Sequence, residues 1–235
     1  MTHIARTAKP RRAGGGLAFT ILAALGLGLL AAGFVGVVLW PRQLASIVSP
    51  DAPSVPITVA GVAFNIPPAA IRVPLQRRPG AQERVDLAFL WPSLQPPDPA
   101  ARPSPTDEPK ALDRLFVTIA VGDGTLTPIA RAMTIYPRFI TGDAVTAPGG
   151  LVALAFRDGS PYHGEDLIFD PSAPEAFLVR CSRPGAAATP GICLIERRIG
   201  AADIIMRFPR DWLADWQSVA RGIDRLIASL RPPGR

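Results

Sequence analysis

The sequence predicts an α+β protein: an N-terminal transmembrane helix, then a mainly antiparallel β-sheet domain carrying one or two packed helices, the last at the C-terminus. Three observations predict it. Residues 13–41 contain no charged side chain. From residue 56 onward, short apolar or alternating runs recur between Gly- and Pro-rich turns, the pattern of successive antiparallel strands. The chain then closes on an amphipathic helical repeat.

Residues 1–16 form a basic tail. Arg6, Lys9, Arg11 and Arg12 fall here, and none of the 19 acidic residues does. Residues 17–40, LAFTILAALGLGLLAAGFVGVVLW, are long enough to cross a bilayer as a helix of about 36 Å. Only a helix satisfies its own backbone in hydrocarbon. Trp40 stands where an interfacial aromatic belongs, and the one-sided positive charge places the tail in the cytoplasm. The expected location is therefore the inner (cytoplasmic) membrane of a bacterial cell envelope, single-pass, with the C-terminal domain in the periplasm. A cleaved signal peptide would have a shorter apolar core and a small-x-small exit; here Phe34 and valines continue past Ala31-Ala32-Gly33. Arg11-Arg12 lacks the bulky apolar residues that follow a twin-arginine signal. Within the span, Thr20, Ala24, Gly28, Ala32 and Gly36 recur every fourth residue. Such a stripe is a candidate face for helix pairing, and hence for a homo-oligomer.

Residues 41–55 read as a proline-rich stalk, and 56–231 as the exterior domain. PITVAGVAF (56–64) is an extended run with a glycine bend, and 65–74 a proline turn followed by another extended run. In RVDLAFLW (84–91), Val85, Leu87, Phe89 and Trp91 share one face, with Asp86 and Ala88 on the other. Seven prolines between 92 and 110 exclude a helix or central strand there; the segment is a loop within the domain. LFVTIAV (115–121) is a strand. Thr127-Pro128 reads as a helix cap followed by proline at the first helical position, with a stop at Pro137. LVALAFR, DLIFD, AFLVRC, ICLIERRI and ADIIMRF follow as a meander. Asp211 is the expected cap of a final helix whose apolar side carries Leu213, Trp216, Ala220, Ile223, Ile227 and Leu230.

The net charge of +6 invites a nucleic-acid partner, but its distribution argues against one. Beyond the tail 21 basic residues face 19 acidic ones, with no basic run to track a phosphate backbone. The bilayer, through 17–40, and an envelope protein are the expected partners. No cofactor is implied. Cys181 and Cys193 close the inner ends of two expected strands. Their spacing fits neither a C-x-x-C motif nor a zinc site, and in an oxidising space they should form a disulfide.

The sharpest polar cluster is SPYHGED (160–166) with Asp170 beyond it. His163, Glu165, Asp166 and Asp170 are the candidate polar site, for a divalent ion or for carboxylate chemistry. Against them, one histidine does not complete a transition-metal set. No serine sits on a G-x-S-x-G turn, and DGSP is itself turn sequence. The leading expectation is an anchored binding or interaction module. A membrane-anchored hydrolase using carboxylates near His163, and a small-molecule sensor domain, remain alternatives. The first would need a converging polar cleft, the second an apolar pocket.

Overall fold

The computed structural model describes residues 15–39, 48–49, 52–98, 113–124, 126–185 and 191–232. It divides into two units, Met1–Ser46 and Ile47–Arg235. The first holds α1 (Gly15–Leu39), a helix of 25 residues. Its side chains are described over 21–35, and all of them are exposed, including Ala24, Gly28 and Ala32 of the small-residue stripe. The side chains at 20 and 36 lie outside the described residues, as do the tail 1–14, most of the stalk and the loop segment 99–112. Among the described residues no helix is long and apolar enough to cross a membrane, so the expected span over 17–40 is not carried by the structure and rests on the sequence pattern alone.

The second unit is α+β with a mainly antiparallel sheet and a C-terminal helix. β1 (Val55–Val59) and β2 (Val62–Ile66) pair in register across Ala60-Gly61. Both turn residues take positive φ, 50° and 78°, which the glycine adopts without strain. A two-residue strand β3 (Gly80–Ala81) joins β1 in parallel and completes a small sheet. The large sheet has eight strands: β4 (Arg84–Leu90), β5 (Arg114–Val121), β6 (Ile140–Thr146), β7 (Val152–Phe156), β8 (Glu165–Phe169), β9 (Leu178–Ser182), β10 (Ile192–Ile199) and β11 (Ala202–Pro209). Their spatial order is β4-β5-β11-β10-β9-β8-β7-β6, every pairing antiparallel. After β5 the chain crosses to the far edge through α2 (Pro128–Thr134). It then meanders back, strand by strand, until β11 closes against β5. The expected meander is therefore present.

One face of the large sheet carries the main core. Val85, Leu87 and Phe89 of β4 face it, with Leu115, Val117 and Ile119 of β5 and Ile204, Met206 and Phe208 of β11. α3 (Trp216–Leu230) and the small sheet cover this face, through Val219, Ile223, Leu226 and Leu230 and through Ile57, Val59, Phe64 and Ile66. Each such side chain, once fully buried, stabilises the fold by about 1.5–3 kcal/mol relative to exposure. On the opposite face α2 builds a smaller cluster, in which Ala132 and Tyr136 meet Phe156 and Leu167. Thr127 caps α2 as its sequence implies, its Oγ1 accepting from the Ala130 N–H at 3.2 Å.

Four local expectations are corrected. Asp211 does not cap the last helix. Residues Arg210–Asp215 form a tighter 3-10 turn, and α3 starts at Trp216 with no side-chain cap bond from Asp215. The three-residue period of that turn buries Leu213 while Trp212 remains half-buried. The run 65–74 gives two 3-10 turns, Pro68–Ala70 and Pro74–Gln76, and Ile71 touches the sheet by one isolated bridge to Leu87. β6, ITGDAVT, was not expected. It is an edge strand exposed along nearly its whole length, so it carries no apolar alternation. Ala88, expected outward beside Asp86, is buried.

Candidate functional site

His163 lies exposed in the turn between β7 and β8. Gly159 and Gly164 take φ of 80° and 75°, a left-handed backbone that glycine adopts at no steric cost. The His163 N–H donates to the Ser160 carbonyl at 3.1 Å. Ser160 is buried, and its Oγ accepts from the Tyr162 N–H at 3.2 Å. The serine shapes the turn.

The carboxylates that neighbour His163 in sequence are dispersed by the strand they sit on. Successive side chains of a strand point to opposite faces, so Glu165 and Asp166, at the start of β8, diverge. Glu165 accepts from Arg180 at 3.0 Å. Arg180 also lies over the rings of Tyr162 and Tyr136, at 5.0 and 5.8 Å from their centroids. Asp166 accepts from Arg183 at 2.9 Å and from Arg210 at 2.7 Å. Asp170 lies beyond the other end of β8, roughly 13 Å along the strand from Asp166 at about 3.3 Å per residue. Its Oδ1 accepts from the backbone N–H and the hydroxyl of Ser172, at 2.9 and 2.7 Å. Each of these three carboxylates thus has a structural partner, and His163, Glu165, Asp166 and Asp170 do not converge. Among the described residues no group of three His, Cys, Asp or Glu side chains is placed to hold a metal ion.

The same arginine–carboxylate pairing recurs across the sheet. Glu196 of β10 meets Arg131 of α2 at 2.8 Å. Asp203 of β11 meets Arg198 at 2.6 Å. Asp86 of β4 meets Arg84 at 2.8 Å and also accepts from Thr118 at 2.8 Å. The Arg84 guanidinium, with the Thr118 and Gln76 side chains, outweighs burial and draws the Asp86 carboxyl down to about 2. Burial pushes the Tyr136 hydroxyl up, against Arg180 and Arg131, and pushes Arg197 down against the pull of Asp224. Arg84 and Asp86 are two positions apart on one strand; the other arginines were not legible as partners, because strand register or the packing of α2 on the sheet sets their pairing.

Cys181 and Cys193 do form a disulfide. They are directly opposed across β9 and β10 and fully buried in the main core. The bond closes a sequence separation of 12 residues.

A surface that the sequence did not single out lies where β4 ends against α3. Trp91 and Trp212 stack at 5.0 Å between centroids with 26° between planes, and Phe208 continues the stack at 5.9 Å from Trp212. Gly222 of α3 makes this possible: a Cβ there would meet the Trp91 ring at 2.6 Å. The two tryptophans border a groove of about 200 Å³ that Asp211, Ala214, Asp215 and Val219 complete. Asp211 and Asp215 are exposed. The available signal was the pair of tryptophans at element ends, one of them, Trp91, read as core-facing.

No known protein family matches the chain, and no curated protein matches its sequence. Among solved structures it is similar to an immunity protein of the Stenotrophomonas maltophilia type IV secretion system. The identity is 16%, the TM-score 0.52, and the match covers 77% of this chain and 94% of that one. That likeness is one of fold. The iron-regulated outer membrane lipoprotein FrpD of Neisseria meningitidis also aligns, at 9% identity and a TM-score of 0.38, over 77% of this chain and 95% of that one. The second likeness is too loose to bear on this chain.

Proposed function

We propose that the chain is a single-pass envelope protein, anchored in the inner membrane by residues 17–40, whose periplasmic domain binds another envelope protein. Three features support the reading. The anchor rests on 29 consecutive residues without charge, 13–41, behind a tail that carries only positive charge; the positive-inside rule then orients the domain outward. The Cys181–Cys193 bond suits an oxidising compartment, since disulfides persist there and are rare in the cytosol. The fold shared with a secretion-system immunity protein is compatible with an envelope setting.

The observation that carries a binding role over an enzymatic one is the state of the carboxylates. Glu165 and Asp166 are each held by arginine, and Asp170 by Ser172, so the groups nearest His163 serve structure. Half-buried stacked tryptophans at the surface are instead the kind of anchor that interfaces use. The experiment is crosslinking of the full chain in its native membrane, followed by identification of what is captured. A discrete envelope protein, lost from a variant with Trp212→Ala, is the expected result. Capture that is unchanged in that variant, or that recovers only abundant membrane proteins, contradicts the reading.

A further inference from the structure

We infer that the outer face of the large sheet, across β5, β11 and β10, docks an acidic segment of a partner polypeptide. The inference rests on the binding role proposed above and places a second contact on the side of the sheet away from α3.

Strand alternation builds this face. Val117, Met206 and Ile195 point into the main core, so Phe116, Ile205, Arg207, Leu194 and Glu196 point the other way. An antiparallel sheet that faces water carries polar side chains on that side. Here half-buried Phe116, Ile205 and Leu194 hold the centre, and none of them packs in the main core or in the α2 cluster. The register joins them: Phe116 faces Arg207 across β5 and β11, and Arg207 faces Leu194 across β11 and β10.

Charge selects the occupant. The carboxylates that β4, β11 and β10 turn to this face are Asp86, Asp203 and Glu196, and each is matched by an arginine, Arg84, Arg198 and Arg131. Arg72 and Arg207 are exposed and make no ion pair among the described residues. They flank one ring. The Arg72 guanidinium lies 4.7 Å from the Phe116 centroid, and Arg207 is the direct cross-strand neighbour of Phe116, with roughly 5 Å between Cβ atoms. Guanidinia without counterions beside an apolar surface suit a partner that presents carboxylates and apolar side chains together, the way arginine clusters read acidic motifs. A second copy of the same face would set like charges against each other.

The test uses the full chain in non-ionic micelles with its isoleucine δ1 methyls labelled by carbon-13. The Ile205 and Ile223 signals are assigned through Ile205→Val and Ile223→Val. The probe is the peptide acetyl-Glu-Leu-Glu-Leu-Glu-amide; one control replaces glutamate by glutamine, the other leucine by serine. The Ile205 signal should move saturably, with a midpoint on the order of 1 mM for so short a peptide, while Ile223, buried in the main core, stays still. Either control should bind at least about fivefold more weakly, and Arg72→Gln/Arg207→Gln should lose a similar factor. Arg221→Gln/Arg225→Gln, which removes the same charge from the exposed side of α3, should leave the midpoint unchanged. No saturable shift at Ile205, an equal response to either control, an unaltered midpoint in the first double variant, or an equal loss in the second overturns the inference. So does tighter binding of a short oligothymidylate, which would mark a general attraction for polyanions. The control peptides are compared on the unmodified chain and do not depend on a variant folding. If the peptide fails while crosslinking still captures an envelope protein, the binding role stands and this face is removed from it. A bound peptide with no protein captured keeps the face and removes the envelope partner.

Discussion

Gly222→Ala is the substitution that most sharply tests how the tryptophan groove is built. In an exposed helix interior this change would stabilise the protein by about 1 kcal/mol, because alanine is the better helix former. Here the added methyl would lie 2.6 Å from Cζ3 and 2.9 Å from Cη2 of Trp91, well inside van der Waals contact. Trp91 cannot simply swing away, since its other side is stacked on Trp212 at 5.0 Å. Forcing a methyl into a packed site costs about 1–3 kcal/mol. The two effects oppose, and overpacking should win by on the order of 1 kcal/mol. Urea unfolding of the full chain in micelles reads the stability, and near-ultraviolet circular dichroism reads the Trp91–Trp212 pair. The expected outcome is a lower midpoint at an unchanged slope, together with an altered tryptophan band. A variant more stable than the parent by about 1 kcal/mol, with an unchanged band, would mean that the Trp91 ring does not fill the space beside Gly222.

Three further outcomes follow from the charge pairs and the disulfide. The folded pKa of Asp86, about 2, lies below its unfolded value, so its contribution is present above about pH 4 and is lost as the pH falls toward 2. It amounts to on the order of 1–2 kcal/mol after screening at the exposed Arg84. Stability measured from pH 5 to pH 2 should therefore fall more steeply in the parent than in Asp86→Asn, and parallel curves would contradict the assignment. Asp166→Asn leaves Arg183 and Arg210 facing each other without a counterion and should cost about 2 kcal/mol, since the pair is only partly buried; loss below about 0.5 kcal/mol would place the network among inconsequential surface pairs. Reducing Cys181–Cys193, which closes a separation of 12 residues, should lower stability by about 3 kcal/mol in a chain-entropy account, read as a drop in the urea midpoint with added reductant.

The meander was legible because each of its strands carries its own local pattern. LFVTIAV and RVDLAFL alternate, and glycines and prolines mark the turns between ADIIMRF and its predecessors. Thr127-Pro128 likewise encodes its cap within two residues. What escaped the sequence depends on contacts remote along the chain. β6 is held by its backbone pairing to β7 and by Ile140 at its start, which packs on the smaller cluster; the exposed remainder of an edge demands no apolar period. The 3-10 turn at Arg210–Asp215 is set by where Leu213 and Trp212 must go, which no local propensity states. The candidate site shows the same division. The sequence placed His163, Glu165, Asp166 and Asp170 within eight positions of each other, but β8 is extended, so nearness in sequence became separation across two faces and along its length. Conversely, Trp91 and Trp212 are 121 positions apart and become neighbours only when β4 and the turn after β11 are brought together.

The proposed function requires the disulfide-bonded domain to stand outside the cytoplasm on an N-terminal anchor. Proteinase added to spheroplasts, with fragments followed by antibodies to the tail and to the domain, tests it most directly. In that topology the domain is digested before the membrane is opened, while a small membrane-embedded fragment retaining the tail survives. A domain protected until detergent is added would contradict it.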